Sequence, residues 1–192
     1  SYTNILNMLE LGGIPLRREE RGDDFPVIVA GGPCAYNPEP LADFIDVFLI
    51  GDGEDMQEEI CMAWKRSSSK DGFLKAVCGM DGVYVPAFYE PQYNDDGTVR
   101  EIRKMYDGAP DRVRRAVVKD LDKASFPVKN IVPFIETVHD RSVVETFRGC
   151  TRGCRFCQAV MIYRPVRERK KETIERLAMA QLENTGHEDR KS

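Results

Sequence analysis

Three cysteines fall within eight residues of the run RGCTRGCRFCQA: Cys150, Cys154 and Cys157, spaced C-x3-C-x2-C. In a reducing compartment such a cluster points to metal or redox chemistry and away from a disulfide framework. Structural zinc takes four ligands, commonly from two C-x2-C pairs, and here there is one pair. A [4Fe-4S] cube can be held by three thiolates, which leaves one iron open to an outside molecule, as an open position serves catalytic zinc. Gly149 and Gly153 let the backbone fold closely around such a group, and Arg148, Arg152 and Arg155 offset its negative charge. Zinc stays open as the alternative, with His139 or Cys34 as a further donor. Of the scattered cysteines, Cys61 and Cys78 lie in helical patterns and read as buried, inert thiols.

The elements that must position the cluster follow from hydrophobic periodicity. SVVETF reads as a strand, Val143 to Phe147, running into the cysteine loop; Ile174, Leu177, Ala178 and Leu182 mark one face of a helix after it. Upstream, strand and helix signals alternate. Ile5, Leu6, Met8 and Leu9 fit a helix stopped at Gly12-Gly13. Val27 to Ala30 and Val47 to Ile50 are short apolar runs of the buried parallel type. The first closes in Gly31-Gly32-Pro33, the second in Gly51-Asp52-Gly53. A helix with Glu54 and Asp55 in its first turn presents Met56, Ile60, Ala63 and Trp64 on one face, and Phe73, Leu74 and Val77 mark another. A hairpin with its turn at Asn94–Gly97 follows. From Tyr106 to Arg141 the pattern is irregular and broken by Pro110, Pro127 and Pro133.

The cysteine run, with the aromatic Phe156 just before Cys157, resembles the signature of radical S-adenosylmethionine (SAM) enzymes. That resemblance implies a [4Fe-4S] cluster on Cys150, Cys154 and Cys157, SAM chelated at the open iron, and Phe156 packed near the SAM adenine. It implies reductive cleavage of SAM to a 5′-deoxyadenosyl radical that takes hydrogen from a substrate the residues do not identify. A reductant such as flavodoxin or ferredoxin is the implied partner. The stretch VIVAGGPCAYNPEPLADFIDVFLIGDGED resembles the second half of a cobalamin-binding domain of the kind that precedes many radical SAM barrels. This implies a cobalamin nucleotide tail beside Gly31, Gly32 and Pro33 and beside Gly51, Gly53 and Glu54. Glycine loops at the carboxyl ends of parallel strands are where such sheets bind ligands, although they also serve as plain turns. The run VHDRSVVETFRGCTRGCRFCQAVMIYRPVRER resembles a bacterial group of cobalamin-domain radical SAM proteins, and the similarity extends over most of the chain.

The expected fold class is therefore α/β: a partial Rossmann-like cobalamin-binding module over residues 1–80, a hairpin and connector over 81–141, and the start of a radical SAM (β/α) barrel over 142–192. The later barrel strands, with a Gly-Gly-Glu-type SAM contact, are not in this sequence. The chain also begins inside a helix without Met, so it reads as a piece of a longer protein, catalytically incomplete alone. Arg164, Arg167 and Arg169 suit either a SAM carboxylate or phosphate contact, or surface and barrel salt bridges; Glu145 and Arg148 either line the site or alternate outward. Two other readings stand beside the enzyme: a non-catalytic metal- or corrinoid-binding module with structural cysteines, and a methyl- or methylthiotransferase subclass. With 42% hydrophobic and 31% charged residues a sizeable core is possible, and a net charge of −4 gives no drive toward nucleic acid. No apolar run is long enough to span a bilayer and no secretory pattern appears, so the expected setting is the cytoplasm, with no membrane partner.

Overall fold

Alternation along one short strand organises the first part of the chain. Successive side chains of β2 (Val47–Leu49) must point to opposite faces. Val47 is buried with Met56, Ile60, Phe73 and Val77, whereas Phe48 is buried with Ala35, Leu41, Ile45 and Tyr84. The computed structural model describes residues 2–135, 138 and 141–185. It divides into two units, Ser1–Val117 and Val118–Ser192. It is a mixed α/β structure with small sheets.

In the first unit, α1 (Tyr2–Leu11) supplies Tyr2, Ile5 and Leu6 to the Phe48 side. It stops where expected: Gly13 takes φ 66°, and the Ile14 amide donates back to the Leu9 carbonyl at 2.9 Å. The other face is covered by α2 (Glu54–Arg66) and α3 (Lys70–Val77). α2 carries Glu54 and Asp55 in its first turn and Lys65 and Arg66 in its last, both favourable to the helix dipole. Burying side chains the size of Phe48 or Phe73 contributes roughly 1.5–3 kcal/mol each. Cys78 is buried, and burial pushes its thiol pKa up. Cys61, expected to be buried too, is exposed, because it lies one residue past Ile60 and so off the inward stripe. Trp64 is also more exposed than its pattern implied, and meets Phe73 edge-on at 5.2 Å.

β1 (Val29–Ala30) pairs parallel with β2, and β3 (Val83–Tyr84) pairs antiparallel on the other side, giving the order β1-β2-β3. Both apolar runs are longer than the strands they form. At the start of β1 the ladder is replaced by a side chain: the Ile28 amide donates to Asp46 Oδ2 at 2.8 Å. Asp46 also accepts from Arg21 at 3.2 Å, in a pair with almost no solvent exposure. Arg21 in turn donates to the carbonyls of Pro15, Leu16 and Phe44, so one guanidinium ties the main chain of residues 15–16 to the entrance of β2. A hairpin, β4 (Tyr89–Tyr93) and β5 (Val99–Lys104), follows with its turn at the expected residues; Gly97 sits at φ 81°.

The second unit has shorter elements. β6 (Phe147–Arg148) pairs antiparallel with β7 (Arg167–Glu168). Between them lie the cysteine loop and one turn of helix, α4 (Ala159–Ile162). α5 (Lys171–Thr185) follows and buries Leu177 and Gln181, with Ile174, Ala178 and Leu182 half-buried beside them. The expected strand Val143–Phe147 is thus displaced to Phe147–Arg148. Glu145 lies before the ribbon and turns its carboxylate back to Arg148.

The tightest packing in the first unit lies where residues 114–116 continue the pairing of β2 beyond β3. Gly51 and Ala116 form a parallel bridge; the Ala116 amide donates to the Ile50 carbonyl at 2.9 Å, and the Gly82 amide to Arg114 at 2.5 Å. A Cβ on Gly51, at φ 119°, would stand 2.1 Å from the Ala116 carbonyl oxygen, and one on Gly82 would stand 2.7 Å from that of Ile50. Main chain meets main chain here, so neither neighbour can yield. Gly51→Ala is expected to destabilise the chain by about 3 kcal/mol. Gly13→Ala also has a positive φ but nothing within 4 Å, and should cost only about 1–2 kcal/mol. Urea unfolding of the two variants checks this ranking; equal losses would refute the packing account.

Candidate functional site: a cysteine loop on a closed neck

Residues 149–158 leave the ribbon at β6, and the chain returns to it at β7. The two limbs are pressed together at Gly149. Its φ is 108°, and a Cβ there would lie 2.8 Å from the Val166 Cα and 2.9 Å from the carbonyl oxygens of Tyr163 and Pro165. Only glycine permits this approach, and the next residue is Cys150. Above the contact, the Arg169 amide donates to the Thr146 carbonyl at 2.9 Å.

Charge reinforces the closure. Arg148 donates twice to Glu145, from Nε to Oε1 and from Nη2 to Oε2, each at 2.9 Å. Such a two-pronged pair is among the stronger hydrogen-bonded arrangements. Arg169 reaches the same carboxylate from the returning limb at 3.3 Å, also donates to the Leu121 carbonyl, and lies 5.3 Å from the centre of the Phe126 ring. Hydrogen bonding from Arg148, aided by the charges of Arg148 and Arg169, lowers the Glu145 pKa. A lowered carboxyl pKa means this contribution is present above the ordinary carboxylate range and is lost as pH falls through the lowered value. Arg167 is buried too, and donates to the carbonyls of Val118 and Pro165. Of Arg164, Arg167 and Arg169, the first is exposed; Arg167 and Arg169 are structural clamps of the neck. A signal for this was present in VRER, where two arginines alternate with an outward Glu168 on a strand.

Beyond the neck the loop is open. Cys150 is half-buried, Cys154 and Cys157 are exposed, all three thiols are free, and Phe156 is 92% exposed. The Cys157 amide donates to the Cys154 carbonyl at 3.1 Å, closing a tight turn between those two cysteines. Among the described residues no three His, Cys, Asp or Glu side chains are gathered closely enough to hold a metal. The donor set therefore fits a cluster in kind and in access, three soft sulfurs on one short loop, while the sulfurs themselves are not drawn together. His139 lies outside the described residues.

The glycine loops of the first unit differ from each other. Gly32, at φ 88°, has nothing within 4 Å of a built Cβ, and Gly31 meets only Leu49, so Gly31-Gly32-Pro33 is open to an approaching molecule. Gly51 is already filled by Ala116, Gly53 caps α2, and Glu54 begins that helix. The unit also has a cleft of about 420 Å³ between the hairpin and the turn at residues 39–43, lined by Tyr84, Tyr89, Pro91 and Ile102. Polar groups on its lining are paired: the Tyr84 hydroxyl donates to Glu39 at 2.6 Å, and Glu90 pairs with Arg103. Burial, then the Glu39 contact, raises the Tyr84 pKa. Among the described residues no helix is long and apolar enough to cross a membrane.

Residues 1–86 match the family described as radical SAM proteins, N-terminal. Over 153 residues, 79% of this chain, the sequence is 28% identical to an uncharacterized protein of Methanocaldococcus jannaschii, of which it covers 28%. No solved structure matches the chain. The family match supports a place in the radical SAM superfamily. It ends at residue 86, so it is independent of the cysteines at 150–157.

The neck makes a direct prediction. Gly149→Ala should force the limbs apart, and Cys150 should then react with iodoacetamide as fast as Cys154 and Cys157. Mass spectrometry of each cysteine peptide over time reads this; continued protection of Cys150 would show that the neck accommodates a side chain.

Proposed function

We propose that the protein of which these residues form part is a radical SAM enzyme, with Cys150, Cys154 and Cys157 holding a [4Fe-4S] cluster. One observation carries the reading: three free thiols, two of them exposed, at C-x3-C-x2-C on a neck-closed loop, in a chain whose residues 1–86 separately match radical SAM N-terminal regions. When bound, the cluster supplies the electron for cleavage of SAM to a 5′-deoxyadenosyl radical. The chain's own residues do the holding. Gly149 and the Glu145 pairs fix the loop's base, the exposed Arg152 and Arg155 offset cluster charge, and the exposed Phe156 is free to stack on an adenine.

The chain covers about 28% of the relative it matches, so substrate and reaction outcome belong to the whole protein. We extend the reading to a Rossmann-like role for the first unit, with a corrinoid tail at Gly31-Gly32-Pro33, which is more open than the other strand-end loop, Gly51-Asp52-Gly53. Its test is co-elution of hydroxocobalamin with the complete protein, weakened by Gly32→Val.

The complete protein, reconstituted anaerobically with iron and sulfide, should take up about four irons. Once reduced, it should convert SAM slowly to 5′-deoxyadenosine without added substrate. Cys154→Ala should abolish both, while Cys61→Ala should leave both intact. Phe156→Ala should weaken SAM binding by roughly 1–3 kcal/mol, the scale of stacking a base on an aromatic ring. Stoichiometric zinc with no iron uptake would overturn the reading in favour of a structural metal module.

A further inference from the structure

The cysteine loop is held at its base by one carboxylate shared between the two limbs. Glu145 sits on the outgoing limb, before β6. Its Oε1 and Oε2 accept from Arg148, two residues ahead of Cys150, and Oε2 also accepts from Arg169 on the returning limb. The Arg169 side chain is essentially buried, and its Nε has no hydrogen-bond partner among the described residues. It is committed on three other sides, to the Leu121 carbonyl, the Phe126 ring and Glu145. A buried guanidinium deprived of its counter-charge is costly. Removing the Glu145 charge would take the carboxylate from the buried Arg169 and cut the tie between the two limbs.

We propose that Glu145 is the positioning residue of the cysteine loop: its charge locks Arg148 to Arg169, and so sets the direction in which Cys150 leaves the ribbon. This rests on the reading of Cys150, Cys154 and Cys157 as cluster ligands. Glu145 touches none of the reacting groups; it acts through Arg148. The half-buried state of Cys150, beside two exposed partners, is the visible result of that hold.

The geometry separates charge from size. Gln has the shape of Glu, but it carries no charge and turns an amide toward one guanidinium. Asp keeps the charge on a shorter arm. In the cluster-free complete protein, Glu145→Gln should raise the iodoacetamide reactivity of Cys150 several-fold, to that of Cys154 and Cys157, while Glu145→Asp should keep Cys150 the slowest of the three. Glu90→Gln, which breaks the exposed hairpin pair with Arg103, should change none of the three. After reconstitution, Glu145→Gln should retain less iron than the wild type and give a broader electron paramagnetic resonance signal on reduction, with Glu145→Asp restoring both. Circular dichroism confirms that the variants remain folded; should Glu145→Gln not fold, Arg148→Lys, which keeps the charge but loses the second prong, should show the same Cys150 effect. A Glu145→Gln protein with wild-type Cys150 protection and wild-type signal overturns the proposal while leaving the cluster reading intact. A wild type that takes up no iron overturns the cluster reading, and the alkylation pattern still decides the role of Glu145.

Discussion

The shape of the cysteine loop in the second unit depends on the contact between Gly149 and the main chain of residues 163–166. Three cysteines on a free segment would sample many arrangements, and drawing them onto one cluster would mean ordering the whole segment. The contact shortens what must be ordered to the loop itself. It leaves Cys154, Phe156 and Cys157 exposed, while Cys150, next to the closure, is half-buried. The ion pairs at Glu145 act on the same closure from the side chains, so backbone shape and charge pull in one direction.

The first unit uses the same device for a different end. The main chain of Ala116 at Gly51, and the Ile50 carbonyl with the Met56 and Ala116 side chains at Gly82, come so near that hydrogen is the only substituent that fits. The gain is a continued ladder, with Ile50, Asp52, Gly82 and Ala116 all bonded through their backbones. This changes the meaning of Gly51-Asp52-Gly53. A glycine after a parallel strand suggests a ligand loop, yet Gly51 is required by the neighbouring chain. Gly32 has no such neighbour, and it keeps the freedom that a ligand loop needs.

Much of this was legible in the sequence because the signals were local. The Gly12-Gly13 stop, the acidic start of α2, the Phe73–Val77 stripe and the Asn94–Gly97 turn all formed where their residues indicated. So did the helix carrying Leu177. Strand limits were less legible, because they depend on partners. Ile28 is apolar enough to extend β1, but its amide is taken by the Asp46 carboxylate, a contact that periodicity cannot reveal. The cysteine spacing named the donors, yet the neck that presents them was hidden, because Gly149 looks like a flexible residue until the returning limb is in place. In the sequence Arg167 and Arg169 suited either a ligand contact or surface and barrel salt bridges; their place as buried clamps depends on residues 118–126, which supply carbonyls and a ring for them.

The bridge between Gly51 and Ala116 also bears on how the chain is made. The pairing of β2 with β1 and β3, and much of the packing of α2 and α3 on it, lies within residues 29–85 and can form as soon as these have emerged. The Gly82 amide and the outer end of β2 have to wait for residues 114–116. At the usual pace of translation, about 5–20 residues per second, that wait is on the order of seconds. During it a short strand edge stands unpaired, the kind of surface that recruits strands from other chains. The hairpin of residues 89–104, synthesised in this interval, forms in roughly 1–10 μs once complete, so it is already folded when the segment that closes the sheet arrives.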